Sequence, residues 1–341
     1  MPTKITYGTP TRDILQLLDG RDTAVAYDNI VYGNGGGDAI TGGSGNDWIW
    51  GAASDASLTG VADTFIGGAG DDVIISWANN SLLSGGDGND ILIFSGPLAT
   101  AASFATLQGG DGNDQLWALG GGVLYGGNGD DTLVGGGYLD GGYGNDLLIA
   151  TTNSTTAYGS VGDDTLYAAP GVGAAVLNGG IGADVIVGNG QYDRLIAGND
   201  KAQDILIGGP GKDEFDEGGQ GIFTNGYLPA FSGKPELYPS AAGLDVIWNF
   251  QIGLDDLVIP TESYYGDMPY APGVVGSTDP ATTGYNADLG LSGTLIRLDY
   301  VRGISGNYFH QNVVFLAGIT TDIQSLIAAG SLHFNDAVAT Y

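Results

Sequence analysis

Apolar residues recur at a fixed interval along most of this chain. Residues 33–213 repeat a nine-residue unit, Gly-Gly-x-Gly-x-Asp-x-apolar-x, with clear copies at 42–50, 67–75 and 85–93. We number each copy so that Asp is position 6 and the central apolar residue is position 8. The alternation at positions 7 to 9 predicts a short strand with position 8 buried, and the glycine-rich half predicts a tight turn.

The copies fall into two classes. Strong copies keep the position-6 Asp and mostly recur at intervals near 18 residues. The copies between them keep the apolar residue but lose the Asp, as in Ser81 with Leu83 and Ala105 with Leu107. Two units per coil predict an all-β fold, a flattened parallel β-roll with acidic loops stacked along one edge. Only near the ends could both edges carry acidic loops, at Asp38, Asp193, Asp204 and Asp213.

The same phase predicts the domain organisation. Degenerate copies at residues 5–32 extend the roll to the start of the chain, so the predicted roll covers residues 1–216. Residues 217–341 form a predicted β-rich C-terminal cap. Within it, the segments 217–243 and 260–293 are rich in Tyr, Pro and Gly and are interpreted as inserted loops.

The charge composition excludes several classes of protein for this chain. The chain has 39 acidic and 9 basic residues, and no Lys or Arg lies between Arg21 and Arg194. The regular apolar positions argue against a disordered acidic segment. The lack of a basic patch argues against nucleic-acid binding, and no apolar run approaches the roughly 20 residues of a membrane span. No Cys is present, and the N-terminus has no apolar signal-peptide core.

The acidic loops have the chemistry of a calcium site. Ca²⁺ takes about six to eight oxygen ligands from carboxylates and backbone carbonyls. Glycine permits the dihedral angles that turn carbonyls inward, and Asp supplies an anionic oxygen. Stacked carboxylates about 4.8 Å apart would otherwise repel each other. We therefore predict several calcium ions and folding on calcium binding. The alternative is that these repeats are only tight turns of a metal-free roll.

The predicted calcium ligands are the position-6 aspartates, together with the glycines at positions 2 and 4 of the loops. The aspartates are Asp38, Asp47, Asp72, Asp90, Asp114, Asp131, Asp146, Asp164, Asp184, Asp204 and Asp213. The glycines are Gly43, Gly45, Gly68, Gly70, Gly86, Gly88, Gly110, Gly112, Gly127, Gly129, Gly142, Gly144, Gly180, Gly182, Gly209 and Gly211.

No catalytic motif stands out in the sequence. The two histidines, His310 and His333, have no second histidine at ligand spacing, and no Gly-x-Ser-x-Gly motif occurs. Acidic pairs such as Asp130 and Asp131 would suit a glycosidase, but they fit positions 5 and 6 of the repeat better. We predict that the chain is not an enzyme. Any catalytic site would lie in the inserted loops.

These repeats resemble those of the repeats-in-toxin family, whose β-rolls bind calcium. Residues 245–259, 312–318 and 332–334 resemble the segment that follows the roll in serralysin-type proteins, although the His-Glu-x-x-His protease motif is absent. The resemblance implies a C-terminal cap with an uncleaved signal for the type I secretion machinery. It also implies export of an unfolded chain that folds outside the cell.

The outward positions of the acidic-side strands suggest a further role. Positions 7 and 9 there are strongly apolar, as at Trp48, Ile93 and Ile149, and would form a larger apolar face than soluble monomers usually expose. Strand propensity alone, or cover by the inserted loops, could also explain them. The leading interpretation is a secreted calcium-binding structural protein that self-assembles or attaches to a surface layer, matrix or filament. The alternatives are a carbohydrate- or cell-binding module and, less favoured, an extracellular enzyme.

Overall fold

A computed structural model describes residues 3–8, 13–16, 28–51, 61–96, 104–190, 192–198 and 202–216, and further strands between residues 245 and 335. The chain divides into two compact units, residues 1–175 and 176–341. The regular elements within the described residues are all β-strands, numbered below in chain order. The described part contains no helix long and apolar enough to cross a membrane.

The first unit is a parallel coil with two sheet faces. Face A consists of β1 (Thr3–Tyr7), β3 (Asp28–Tyr32), β5 (Trp48–Trp50), β7 (Val73–Ser76), β9 (Ile91–Phe94), the beginnings of β11 (Gln115–Asn128) and β12 (Thr132–Tyr143), β13 (Leu147–Ala150) and β15 (Thr165–Ala168). Face B consists of β2 (Ile14–Gln16), β4 (Ala39–Ser44), β6 (Thr64–Ala69), β8 (Ser81–Asp87), β10 (Ala105–Asp111), the ends of β11 and β12, and β14 (Thr155–Val161).

Successive coils pair in parallel with the repeat in register. Ile74, for example, lies beside Ile49 on one side, and Leu92 pairs with Leu116. Position 8 therefore stacks on position 8, and these side chains form the core between the two faces. The fully buried core positions of this unit include Val31, Ile49, Ile74, Leu92, Leu116, Leu133, Leu148 and Leu166 from face A, and Ile40, Phe65, Leu83, Leu107, Leu124 and Leu139 from face B. The predicted parallel β-roll is confirmed.

Two strands run from one face to the other. Both β11 and β12 supply a segment to face A and a segment to face B, and their mutual register shifts between Ala118 and Gly122. The turn between the faces has shrunk to a few residues here. Gly137, at this corner of β12, has φ +94, and a Cβ there would lie against the carbonyl oxygen of Gly122. Glycine is thus required at this corner, where the two coils approach closely.

The second unit repeats this pairing. Its strands are β16 (Ala175–Ile181), β17 (Val185–Val187), β18 (Arg194–Gly198), β19 (Ile205–Ile207), β20 (Glu214–Asp216), β21 (Asp245–Trp248), β22 (Asp256–Pro260), β23 (Thr283–Asn286), β24 (Leu291–Arg302), β25 (Asn307–Ala317) and β26 (Leu332–Asn335). One parallel series is β17, β19, β21 and β25, and the other is β16, β18, β20, β22 and β26. The antiparallel pairs β23 with β24 and β24 with β25 depart from the coil.

The predicted cap overlaps this second unit. Parallel pairing continues through β21, β22, β25 and β26, so strands downstream of residue 217 add to the same sheets as the repeats. The predicted insertion 217–243 lies outside the described residues. Of the insertion 260–293, the structure describes Pro260, β23 and the beginning of β24. The boundary after residue 216 and the capping role stay predictions.

A substitution pair within one strand tests the core. Leu116→Ala should lower the free energy of unfolding by about 2–5 kcal/mol, because the buried side chain leaves a cavity between the faces. Gln115→Ala, at the exposed neighbouring position, should change it by less than about 0.5 kcal/mol. Urea unfolding followed by circular dichroism measures both. Equal losses in the two variants would contradict a core centred on position 8.

Candidate metal centre

The loops that precede the strands of face A form edge A, and their position-6 side chains stack into one buried column. In the first unit this column consists of Asn29, Asp47, Asp72, Asp90, Asp114, Asp131, Asp146 and Asp164. None of these side chains is more than 3% exposed. The stacked carboxylates that the spacing of the strong copies predicts are therefore present. Seven aspartates stack in the described part of this unit.

Backbone amides tie the column together. The N–H of Asp72 donates to Oδ1 of Asp90 at 2.8 Å, and the N–H of Asp90 donates to Oδ1 of Asp114 at 2.7 Å. The same contact recurs from Asn29 through Asp146 in the first unit and from Asp184 to Asp204 in the second. Each position-6 amide thus donates to the next coil along the chain.

Position 5 forms a second ladder, exposed to solvent, that runs the opposite way. The N–H of Asp71 donates to Oδ1 of Asn46 at 3.0 Å, and that of Asn113 donates to Oδ1 of Asn89 at 2.8 Å. These amides donate to the preceding coil. Two adjacent amides of one loop therefore bind opposite neighbours, which fixes every loop from both sides.

The second oxygen of five column carboxylates has no hydrogen bond within the described structure. The buried Oδ2 atoms of Asp72, Asp90, Asp114, Asp131 and Asp146 accept no hydrogen bond there. A buried carboxylate oxygen without a partner is strongly unfavourable unless a cation neutralises it. Within the described residues, no three Asp, Glu, His or Cys side chains come together. A cation held here must therefore draw several of its oxygens from the backbone.

The glycines supply the backbone geometry for such ligands. All the predicted glycines at positions 2 and 4 have φ between +93° and +138°. A Cβ on Gly86 would overlap the carbonyl oxygen of Gly68 in the neighbouring coil. A side chain at this position would fill the space where the carbonyls of adjacent loops converge. Carboxylate and carbonyl oxygens together fit the oxygen-rich, flexible coordination of Ca²⁺.

Electrostatics of the column favour cation uptake. Burial, with neighbouring carboxylates adding to it, raises the pKa of Asp72 and of Asp131 to about 8. The same causes raise the pKa of Asp114 to about 7 and that of Asp90 to about 6. Burial raises the pKa of Asp146 to about 6 as well. Asp72 and Asp131 of the metal-free column therefore hold protons near neutral pH, and a divalent cation would replace them.

Within the described residues of the first unit, edge B, formed by the loops before face B, has acidic position-6 residues only at its beginning. These residues are Asp13, Asp38 and Asp63. The N–H of Asp13 donates to Oδ1 of Asp38, and the N–H of Asp38 donates to Oδ1 of Asp63. The buried Oδ2 of Asp38 accepts no hydrogen bond in the described structure, and burial raises the pKa of this side chain to about 6. The next position-6 residues are Ser81, Ala105, Gly122, Gly137 and Thr155. The predicted pair of unequal edges is therefore present in the first unit.

Asp63 is a column residue that the sequence pattern did not identify. Its loop lacks the paired glycines, and only the buried Phe65 two residues later marks its phase. The Ser76 hydroxyl donates to Oδ2 of Asp63 at 2.7 Å, and the N–H of Asp63 donates to Oγ of Ser81 at 3.0 Å. The Ser76 hydroxyl and the Asp38 amide thus bond to the two oxygens of this carboxylate without a metal. The acidic part of edge B ends at this coil.

The second unit also has two acidic pairs. The N–H of Asp184 donates to Asp204, and that of Asp193 donates to Oδ1 of Asp213 at 2.9 Å. Oδ2 of Asp193 accepts the amides of Asn189 and Gly190 at 3.0 and 2.9 Å. Oδ2 of Asp193 therefore accepts amides of its own loop, whereas Oδ1 of a column carboxylate of edge A accepts an amide of the neighbouring coil.

The raised pKa values predict the pH dependence of the metal-free protein. The folded pKa of Asp72 and of Asp131 is raised from 3.8 to about 8, so the folded state binds more protons than the unfolded chain between these values. Stability of the metal-free roll is thus greatest below about pH 4 and is lost as pH rises through about 6 to 8. Thermal melts in chelator, followed by circular dichroism, should show a folded roll at pH 5 and, at pH 8, a lower Tm or no folded roll at all. An Asp72→Asn variant should show a weaker dependence, and equal melting temperatures at both pH values in the parent would contradict the argument.

Comparison with known proteins agrees with this geometry. A family model described as RTX calcium-binding nonapeptide repeat (4 copies) matches residues 23–55, 59–93, 105–122, 123–137, 140–173, 171–202 and 178–215. These matches cover more than half of the chain and include both acidic edges. No curated protein matches the chain. On the strength of the matched repeats and the stacked acidic loops, this chain belongs to the RTX calcium-binding nonapeptide repeat family.

Proposed function

We propose that this calcium-binding β-roll is a secreted structural protein that folds on calcium outside the cell and assembles through face A. The observation that carries the calcium step is the column of buried carboxylates, five of which have an Oδ2 atom that accepts no hydrogen bond in the described structure. The predicted position-6 aspartates and glycines of positions 2 and 4 would hold the ions. Calcium would supply the positive charge that the repeats themselves lack.

The energetics make the metal a folding requirement wherever the column carboxylates are ionised. Two carboxylates in adjacent coils repel by roughly 3 kcal/mol at an effective dielectric constant of about 20. Several such pairs equal the whole stability of a typical domain, about 5–15 kcal/mol. No Lys or Arg lies between Arg21 and Arg194 to offset this repulsion. Because the loops are shaped only in the fold, calcium binding and folding occur together.

The calcium requirement for folding also supports export of the unfolded chain. A chain that stays unfolded without calcium can pass through a secretion channel and fold where calcium is plentiful. Membership of this family and the resemblance of residues 245–259 to the segment after serralysin-type rolls support type I secretion. The type I secretion machinery is therefore the proposed export partner, and the outside of the cell is the proposed location.

Face A supports the assembly step. Its outward side chains alternate with the core as predicted, and they form an apolar sheet surface. Trp48 is 49% exposed and Leu147 is 37% exposed, and Ile93, Trp117 and Ile149 are half-buried by their neighbours. Apolar sheet surface of this kind is suited to association with a second copy or with a component of a surface layer, matrix or filament.

An adhesin-like module for carbohydrate or cell surfaces is the second candidate function. A cluster of aromatic rings at the beginning of face A favours it. The rings of Tyr7 and Tyr32 stack with centroids 5.2 Å apart and planes within 9°, and Trp50 meets Tyr32 edge-on at 5.3 Å. The proposal assigns no catalytic role to the chain. His310 and His333 lie on β25 and β26, and most of the inserted loops lie outside the described residues.

Adjacent aspartates of one loop test the calcium assignment. Asp131→Asn should weaken calcium-induced folding by roughly tenfold or more, because it removes a buried ligand of the column. Asp130→Asn makes the same change at the exposed position 5 and keeps the oxygen that accepts the Asn145 amide, so it should have little effect. Calcium titration of chelated protein, followed by circular dichroism, measures both midpoints. Matching midpoints would argue against the column as the metal site.

Lysine substitutions test assembly. Ile93→Lys and Ile149→Lys place charge on face A and should abolish growth of calcium-loaded protein into large particles, while circular dichroism stays unchanged. Gln108→Lys, at an exposed position of face B, is the matched control. Light scattering during calcium titration measures the growth. Growth that survives both face A variants would exclude this face as the interface, and a parent protein that folds to a stable monomer would favour the adhesin-like module.

A further inference from the structure

Asn128 precedes a glycine inside a strong copy of the repeat. In the loop of residues 126–131 on edge A, Asn128 is at position 3 and Gly129 is at position 4. An Asn side chain is most open to attack by the next backbone nitrogen when glycine follows, because glycine has no Cβ to obstruct the approach. The other strong loops of edge A in the first unit have a different residue at position 3, namely Ser44, Ala69, Asp87, Asp111, Tyr143 and Val161.

The neighbouring coils hold both sides of the peptide bond between Asn128 and Gly129. The N–H of Gly129 donates to the carbonyl oxygen of Tyr143 at 2.7 Å, and the carbonyl oxygen of Asn128 accepts the N–H of Gly112 at 2.7 Å. The side chain is held as well, since Nδ2 of Asn128 donates to Oδ1 of Asp111 at 2.6 Å. Asn128 is the last residue of the extended strand β11, so attack on its Cγ requires the peptide plane to rotate. This rotation would break both backbone hydrogen bonds.

The same loop has no room for a change in its backbone. Gly129 has φ +123°, and a Cβ there would overlap the carbonyl oxygen of Gly112. Two residues later, the N–H of Asp131 donates to Oδ1 of Asp146 at 2.8 Å. An extra backbone atom between residues 128 and 129 would shift Gly129 and Asp131 against the neighbouring coils. These two residues are predicted calcium ligands, so the site would lose its alignment.

We propose that Asn128 is a self-modification site that reacts only while the chain lacks calcium, an inference that rests on the calcium-dependent folding proposed above. In the unfolded chain the Gly129 nitrogen bonds to Cγ of Asn128, and Nδ2 leaves as ammonia together with the proton of that nitrogen. Water then opens the succinimide ring at one of its two carbonyl carbons, adding OH to that carbon and H to the nitrogen. The product at residue 128 is aspartate or isoaspartate.

Both products weaken the calcium loop. Aspartate places a carboxylate beside Asp111, where an amide now donates, in a row that already pairs Asp111 with Asp87 in register. Adjacent like charges repel. Isoaspartate sends the main chain through the side-chain CH₂ group and so adds the extra backbone atom that the loop cannot hold. A chain kept without calcium therefore gradually loses its ability to fold, whereas calcium protects it.

The reaction at residue 128 can be timed with and without calcium. Full-length protein is incubated at mildly alkaline pH in calcium or in chelator, circular dichroism reports folding, and mass spectrometry of peptides follows the exchange of amide for carboxylate. The unfolded protein should react at least about tenfold faster, because ring closure in the roll requires local opening. Equal rates in a folded and an unfolded sample would overturn this proposal alone. A chelated sample that stays folded would overturn calcium-dependent folding as well.

Asn128→Gln tests the consequence for folding. Glutamine keeps an amide donor but must form a larger ring, which closes far more slowly. After incubation in chelator, calcium is added back and circular dichroism measures the refolded fraction. This fraction should fall with time in the parent and fall more slowly in the variant. The other Asn–Gly pairs are present in both proteins, so an equal decline would overturn the role of Asn128; these pairs begin at Asn34, Asn178, Asn189 and Asn225.

Ser44 offers a control in which the site is added rather than removed. It is at position 3 of another edge A loop, and the N–H of Gly45 donates to the carbonyl oxygen of Ala69 at 2.6 Å, the same contact that Gly129 makes. Ser44→Asn should create a second site that reacts in chelator and is slowed at least about tenfold by calcium. Reaction at residue 44 that is equally fast in folded and unfolded protein would show that contacts between coils do not protect this position, and would overturn the mechanism.

Discussion

The desolvation of a row of carboxylates is the constraint on which the rest of this structure depends. Each aspartate of edge A is almost completely buried, and its nearest charged neighbours along the column are other aspartates. A buried negative charge is tolerated only with a proton or a cation beside it. The in-register stacking that gives the roll its core also creates this electrostatic problem. Fold and ion binding therefore cannot be separated in the repeats.

Edge A and edge B differ in the residues at position 6, although the coils stack in the same way at both. Edge A keeps the carboxylate in coil after coil and needs cations to neutralise it. Edge B keeps it for three coils, the last of which has its carboxylate bonded to the Ser76 hydroxyl, and then has Ser81, Ala105, Gly122, Gly137 and Thr155 at position 6. Freed from coordinating metal, the loops of edge B vary in length, and two of them shrink until a strand runs directly from face A to face B.

The roll and its acidic edge could be predicted from the sequence, because a buried apolar residue in every copy of the repeat shows where each coil begins and ends. The spacing of the strong copies placed the aspartates on one edge, and the alternation at positions 7 to 9 placed the apolar face outside. Asp63 was missed because its loop has lost the glycines that mark the period. The contact of Tyr138 with Tyr125 and Tyr158 could not be predicted, since coils of unequal length bring these rings together, and only the register reveals it. The positive φ of Ser160, which pairs in register with Gly142, is likewise reported by no sequence pattern.

The opposed amide ladders make the two ends of a stack of coils chemically different. Removing the first coil of a stack leaves the position-5 amides of the next coil without acceptors, but these amides are exposed and water can replace the lost oxygen. Removing the last coil leaves a position-6 amide without its acceptor beside a buried carboxylate, where an unmet donor costs far more. The N-terminal end of a stack is therefore the end that costs less to leave without a neighbouring coil. A chain that emerges C-terminal end first would add each new coil to a neighbour whose carboxylates already face it, so that every buried position-6 amide finds its acceptor as it folds.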